Sequence, residues 1–269
     1  MIDHPKFKEL IQYLSRLGSA VIAYSGGTDS TLLIAAAKMA LNDNFVAFTI
    51  DTPYIARWEI DEAIEICKDL KVRHKVIQSE MIDEIKNNPL NRCYLCKTHL
   101  FTGLLEEARK LGIPYVIDGT NLDDKGDYRP GRQALKELEI KSPLLETGIG
   151  KKLIREFSKQ LGLPTWDKPA YACLLTRIPY DTNISFSEIK RIELSENFLM
   201  EQGFKAVRVR SHNLIARIEI PKDKIPELLQ KNKDKKISDA IRGFGFQFVT
   251  IDMDGYRMGS FLTDKDHVN

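Results

Sequence analysis

The 269-residue chain has no run near the roughly 20 consecutive apolar residues that a membrane-spanning helix needs, and residues 1–20 carry charges throughout, with no apolar core of signal-peptide length. A cytoplasmic protein with no membrane partner is therefore expected. An excess of one charge is also lacking. The 40 Lys and Arg residues against 38 Asp and Glu leave a formal +2, too little for an extended nucleic-acid footprint, so nucleic acid is not an expected partner. Cysteine is scarce: 4 in a chain this long do not make a disulfide scaffold. Internal repeats and low-complexity stretches are absent. So is the Gly-Lys-Ser/Thr ending of a Walker loop, which argues against a kinase or GTPase of that type.

What the chain does have is a short polar turn between two apolar segments. Val21, Ile22 and Ala23 read as a buried strand, and Thr31 to Ala40, rich in good helix formers, reads as a helix. Between them runs Tyr24-Ser25-Gly26-Gly27-Thr28-Asp29-Ser30. Gly26 and Gly27 let the backbone bend tightly and approach a ligand without Cβ obstruction, while Thr28, Asp29 or Ser30 can cap the new helix. Free N–H groups at the helix start, aided by the helix dipole, then face an anion, and a polyphosphate is expected there. Ser and Gly also fill ordinary turns, but the strand-to-helix setting favours the phosphate reading.

The length allows one large domain and a smaller one. Phe7–Leu17 has apolar residues at helical spacing. After the turn, strands expected over Asn44–Thr52, His74–Gln78 and Tyr115–Asp118 alternate with helices expected over Arg57–Leu70 and Lys97–Leu111. Such alternation implies an α/β fold, a parallel sheet with helices on both faces and ligands at the carboxyl ends of its strands. Asp51-Thr52 and Asp118-Gly119-Thr120-Asn121 close two of those strands; they either turn the chain or face the ligand. A glycine at 119 suits a backbone running close to a phosphate. A helix over Gly150–Leu161 leads into an irregular, proline-marked stretch, placing a boundary near residue 180.

Residues 181–269 have a different, α+β texture. Ser187 is the expected N-cap of a helix through Gln202. Ala206–Arg210 and Ala216–Ile220 alternate apolar and charged residues around Ser-His-Asn, as an antiparallel hairpin does, and Pro226–Lys231 and Phe246–Met253 read as a short helix and a last strand.

Cys67 shares one face of the expected helix with Ile60, Ala63, Ile64 and Leu70, so it is assigned to the core. Cys93-Tyr94-Leu95-Cys96 offers two thiolates from one short turn, which is half of a zinc or iron–sulfur site. Cys173 is the remaining uncommitted thiol. His99 is a conceivable fourth ligand, although a packing or surface role fits its helical position better. Three thiolates leave one position of a tetrahedral metal open to chemistry; a Cys93–Cys96 disulfide, or two inert thiols, is the alternative.

Ser-Gly-Gly-Thr-Asp-Ser resembles the pyrophosphate loop of the PP-loop ATP pyrophosphatases, a HUP-like fold whose members split ATP between its α and β phosphates and adenylate a substrate. Taken with Asn91–Lys97 and Pro169–Tyr180, which holds Ala172-Cys173-Leu174 and Thr176-Arg177-Ile178-Pro179-Tyr180, the chain resembles over nearly its whole length the LarE family of sulfur transferases. That resemblance implies a PP-loop domain over 1–180 and a C-terminal domain over 181–269 for substrate phosphate or oligomerisation, with a homo-oligomer expected. It implies ATP and Mg2+ as cofactors. It also implies a pyridinium mononucleotide as substrate, one carboxylate becoming a thiocarboxylate for the nickel-pincer nucleotide, and sulfide or another sulfur donor.

ATP would contact Ser25, Gly26, Gly27, Asp29, Ser30, Asp51 and Gly119. In one branch a lone cysteine matching Cys173 gives up its own sulfur. This chain departs from that branch by having Cys93 and Cys96, and so resembles the branch in which three cysteines hold a [4Fe–4S] cluster. Thr176, Arg177, Arg208 and Arg210 are the expected substrate-phosphate ligands, and Glu196 is a possible metal ligand. Period-2 geometry puts Arg208 and Arg210 on one strand face, which is also what a solvated face looks like.

Three other readings stay open. A PP-loop transfer-RNA thiolase shares the three-cysteine logic, but the chain has no cysteines left for a zinc finger. An ammonia-using ATP pyrophosphatase that amidates a carboxylate leaves the cysteines unexplained. A nucleotide-binding regulatory module without turnover is the non-enzymatic reading, and the three cysteines argue against it.

Overall fold

The computed structural model of the protein describes residues 2–126 and 130–256. The chain divides into two compact units, residues 1–84 with 91–171 and residues 85–90 with 172–269. No helix among the described residues is long and apolar enough to cross a membrane.

In the first unit, α1 (Pro5–Leu17) starts with proline at its first position and the His4 ring accepting from Lys6 N at 3.1 Å, and stops at Gly18, φ 71°. Phe7, Leu10 and Leu14 bury one face of it. Then follow β1 (Ala20–Ala23), α2 (Thr28–Leu41), β2 (Phe45–Asp51), α3 (Arg57–Asp69), β3 (His74–Gln78), α4 (Arg92–Lys110), β4 (Val116–Ile117), α5 (Pro130–Glu137), α6 (Pro143–Glu146) and α7 (Lys151–Gln160). The four strands are parallel in the order β3-β2-β1-β4, with Ala20 opposite Phe45 and Val21 opposite Val116. One face of the sheet packs on Leu10, Leu14, Leu32, Leu33 and Phe157; the other packs on Phe101, Leu104 and Ala108 of α4. α2 is buried nearly all round because sheet, α1 and α7 enclose it. The chain runs outward from β1 through β2 to β3 and returns to β4 on the other side of β1. The carboxyl ends of β1 and β4 are therefore the switch point where an open α/β sheet binds ligands.

In the second unit, α8 (Phe186–Glu201) packs on an antiparallel pair, β5 (Arg208–His212) with β6 (Ile215–Glu219), whose register sets Arg208 opposite Glu219. After α9 (Ile225–Lys231) and α10 (Lys236–Gly243), β7 (Phe248–Ile251) joins β6 in parallel. Residues 85–90 are stitched into this unit by Asn88. Its Nδ2 donates to the carbonyls of Leu175, Ile178 and Pro179 at 3.3, 2.9 and 2.9 Å.

The expected elements are present with several corrections. α4 begins at Arg92, not Lys97, so Cys93 and Cys96 lie on its opening turns and not on a short turn ahead of it. No glycine or proline interrupts Arg92–Lys97, and Asn91 stands in the cap position. The cap of α8 is Ser185, whose hydroxyl accepts from Glu188 N at 3.1 Å, and not Ser187, which is already inside the helix. The strand expected over Tyr115–Asp118 is reduced to Val116–Ile117, and the last strand to Phe248–Ile251.

Candidate active site

The turn after β1 lies at the switch point. Gly26 has φ 68°, where a side chain would be strained, and a Cβ there would come 3.1 Å from Ala63 Cβ. Gly27 occupies the N-cap of α2 with no side-chain cap; Thr28, Asp29 and Ser30, expected as caps, form the first helical turn. The opening N–H groups of α2 thus remain available to an anion. Ser25 Oγ and Ser30 Oγ lie 3.1 Å apart, and Ser25 Oγ is 3.4 Å from Gly27 N, a long contact that an anion can replace. Gly119, just past β4, closes the other side. A Cβ on it would meet Ser30 N at 3.1 Å and Ser30 Cα at 3.3 Å, so the glycine is required by the approach of this strand end to α2.

Asp29 is held from two sides, by Asn121 Nδ2 at 3.1 Å and by an ion pair with Lys151 at the start of α7. Its second oxygen, Oδ1, is buried with no hydrogen-bond partner among the described residues. An acceptor of that kind beside a phosphate loop suits a hydrated divalent cation. Asp51 ends β2, but its carboxylate is occupied: Arg57 pairs with both oxygens and Gln78 donates at 2.8 Å. The Arg57 guanidinium, helped by Gln78 against the effect of burial, holds the Asp51 carboxyl below the usual carboxylate range.

Cys93 and Cys96 stand one helical turn apart on α4, so both can face the same side. Neither is in a disulfide. Tyr54, from the loop after β2, places its hydroxyl 3.2 Å from Cys96 Sγ. Burial pushes the Cys96 thiol above the ordinary cysteine range, against that hydrogen bond, which lowers it. Cys67 is fully buried on α3 with its thiol pushed up to about 12, the signature of a core residue. His99 faces Ser79 at 3.4 Å. Among the described residues no three His, Cys, Asp or Glu side chains form a metal-binding group.

The second unit carries Cys173, also unbridged, immediately before a short 3-10 turn, Leu174–Arg177. Arg177 is 1% exposed and forks onto Glu196 through Nε and Nη2 at 2.8 and 2.9 Å. Its Nη1 donates to the carbonyls of Ala172 and Cys173 and to Thr176 Oγ1, so Arg177 ties down the backbone around Cys173. Glu196 is neither a surface residue nor open: Oε1 also accepts from Val209 N at 2.8 Å. Arg208 and Arg210 are buried, which excludes the solvated strand face. Arg210 pairs with Glu219 at 2.9 Å and donates to the Thr176 carbonyl, while Arg208 donates to Val207 O and lies over the Tyr256 ring at 5.1 Å.

The chain is similar to several known proteins. The queuosine biosynthesis protein QueC family matches residues 19–98, the stretch from β1 through the phosphate turn to Cys96. An uncharacterized protein of Synechocystis sp. is 41% identical over 94% of this chain and 96% of its own length, and one of Methanocaldococcus jannaschii is 38% identical over 88% and 90%. The pyridinium-3,5-bisthiocarboxylic acid mononucleotide synthase of Lactiplantibacillus plantarum is 34% identical over 93% of this chain and 91% of its own. The chain belongs to the LarE family. It is a PP-loop enzyme that uses ATP, an ATP-dependent sulfurtransferase.

Several residues in the two units of this LarE-family chain escaped sequence reasoning. Lys168, in the proline-marked segment, reaches Gly26 O at 3.0 Å across 142 positions of sequence. Lys151 beside Asp29, Arg57 beside Asp51, Tyr54 beside Cys96 and, in the second unit, Glu219 beside Arg210 were likewise unassigned, and Asn121 was read only as part of a strand end. Only Lys151 had a local signal, a basic side chain at the start of a helix, where it opposes the dipole and so calls for an acidic partner.

Proposed function

We propose that this LarE-family enzyme adenylates a carboxylate of a nicotinate-derived pyridinium mononucleotide and converts it to a thiocarboxylate, a step toward the nickel-pincer nucleotide cofactor. The observation that carries the reading is the uncapped start of α2 at the β1/β4 switch point, with Gly119 packed against Ser30. The name of the Lactiplantibacillus plantarum relative supplies the substrate class.

In the first step the carboxylate oxygen attacks the α-phosphorus of ATP, the bridging α–β P–O bond breaks, and pyrophosphate leaves with its electron pair. Ser25, Gly26, Gly27 and Ser30 hold the departing phosphates through N–H and hydroxyl donors, and the Gly119 backbone lets the α-phosphate approach. Asp29 fits Mg2+ through its unpartnered Oδ1. When bound, Mg2+ neutralises phosphate charge. Asp51 acts through Arg57, keeping the end of β2 in shape. In the second step sulfide attacks the acyl carbon and AMP leaves, so a C–S bond replaces a C–O bond with no change of redox state.

Cys93, Cys96 and Cys173 are the thiolates assigned to a [4Fe–4S] cluster. What supports the assignment is the donor chemistry: none of the three is in a disulfide, and Cys93 and Cys96 lie one turn apart. When bound, such a cluster offers an iron not ligated by the protein where a sulfide can be held. Thr176, Arg208 and Arg210 are the proposed hydroxyl and guanidinium donors for the substrate phosphate, and Arg177, buried and forked onto Glu196, serves the same phosphate by fixing the turn that carries Thr176.

The test is turnover with ATP, Mg2+, sulfide and the pyridinium carboxylate mononucleotide. Equal amounts of AMP and pyrophosphate and a product heavier by one oxygen-to-sulfur exchange are expected. Cleavage to ADP, or none, contradicts the reading. Loss of one hydrogen sulfide mass from Cys173 assigns the sulfur to that thiol instead of the cluster.

A further inference from the structure

Lys168 binds the backbone of the phosphate turn, whereas Lys151 pairs with the Asp29 side chain. Its side chain is 9% exposed, and its ammonium donates to Gly26 O at 3.0 Å and to Glu62 Oε2 at 2.7 Å. Two rings flank it, Trp58 at 5.7 Å and Tyr171 at 5.9 Å from the nitrogen. The segment that presents it is fixed independently: Thr28 Oγ1 donates to Thr165 O at 2.8 Å, and Arg155 donates to Lys168 O at 2.9 Å. A desolvated cation is costly to hold, and here one is aimed at a backbone carbonyl.

That carbonyl belongs to the residue with positive φ in the turn. In a trans peptide the carbonyl and the following N–H point in opposite directions, so a cation that fixes Gly26 O also fixes the Gly27 N–H on the far side. Among the described residues the Gly27 N–H makes one hydrogen bond, the 3.4 Å contact to Ser25 Oγ. It is the donor that an incoming phosphate would take.

We propose that Lys168 is a positioning residue for the ATP phosphates, acting through the Gly26–Gly27 peptide without touching the nucleotide. It presets the Gly27 N–H toward the anion, and its charge adds to the positive end of α2. Glu62 is a second acceptor for the ammonium; its side chain is 40% exposed and makes no hydrogen bond to the turn among the described residues. The inference rests on the turn binding ATP, so the test separates the two claims.

Inorganic pyrophosphate with Mg2+ is titrated calorimetrically into the wild type, Lys168→Met and Glu62→Gln, and adenosine binding is followed in parallel by ligand-observed NMR. Lys168→Met is expected to weaken pyrophosphate about tenfold or more, the scale of a lost charge-assisted hydrogen bond, with adenosine unchanged. Glu62→Gln, which still accepts a hydrogen bond from the ammonium, is expected to stay within about threefold of wild type for pyrophosphate on the same scale. Lys168→Gln gives the same readout if the methionine variant does not fold. Unchanged pyrophosphate binding in Lys168→Met, an equal loss of adenosine, or an equal loss in Glu62→Gln overturns the proposal. A wild type that binds no pyrophosphate overturns the ATP assignment of the turn beneath it.

Discussion

The end of the parallel sheet and the layer formed by α8, β5 and β6 are built by opposite means. The first is made largely of backbone: glycines at 26, 27 and 119, an uncapped helix start, and a few polar side chains around it. The second is made of side chains, with Arg177 and Arg210 paired to Glu196 and Glu219 in the interior. A backbone site is preorganised cheaply and can release a leaving group, whereas a buried ion-pair network is costly to desolvate and holds one geometry firmly. Reversible phosphate contact suits the first, and a fixed frame around Cys173 suits the second.

Breaking the network should have the largest effect. Arg177→Ala leaves Glu196 buried without its partner and is expected to destabilise the second unit by about 3–5 kcal/mol in urea unfolding, while Arg177→Met with Glu196→Leu recovers much of that loss. If the double variant is no more stable than the single one, the pair is not the reason for the burial.

The sheet end should fail through crowding instead. Gly119→Ala puts a methyl 3.1 Å from Ser30 N and is expected to cost about 1–3 kcal/mol, with ATP binding weakened together with stability, as calorimetry and melting would record. Full ATP affinity in that variant would mean the two strand ends do not need their close approach.

A pH series sharpens the contrast at Asp51. Its folded carboxyl lies below the unfolded value of about 3.9, so the stabilisation is complete above that pH and is lost as pH falls through the folded value. Asp51→Asn should therefore be less stable than wild type by a constant margin from neutral pH down to about 5, with the margin shrinking below about 4. A margin that grows on acidification has the wrong sign. The smallest effect belongs to Ser185→Ala, about 1 kcal/mol from the lost cap of α8, with no change in ATP binding.

What the sequence made legible follows the same division. The β1–turn–α2 unit could be read because strand, glycines and helix are consecutive, and the alternation of elements carried the parallel sheet with it. The start of α4 could not, because the Cys-x-x-Cys spacing reads as a short turn before a helix at Lys97, although no glycine or proline stands there to break the helix. The cap of α8 was a choice between Ser185 and Ser187 that only backbone geometry decides. The partners of Arg177 and of Gly26 lie 19 and 142 positions away, and no local pattern ties a residue to a partner at such distances. Arg208 and Arg210 show the ambiguity most plainly, since alternation describes a wet face and a buried one equally well.

The central claim is the proposed division of the cysteines, with Cys93, Cys96 and Cys173 assigned to sulfur delivery and Cys67 buried in the core. Its most direct test is iron and acid-labile sulfide analysis of anaerobically prepared wild type and of Cys93→Ala, Cys96→Ala, Cys173→Ala and Cys67→Ala. The account predicts about four iron and four sulfide per chain in the wild type and in Cys67→Ala, with cluster lost or depleted in each of the other three. A wild type that remains free of iron after reconstitution, or a Cys173→Ala protein with a full complement, would contradict it.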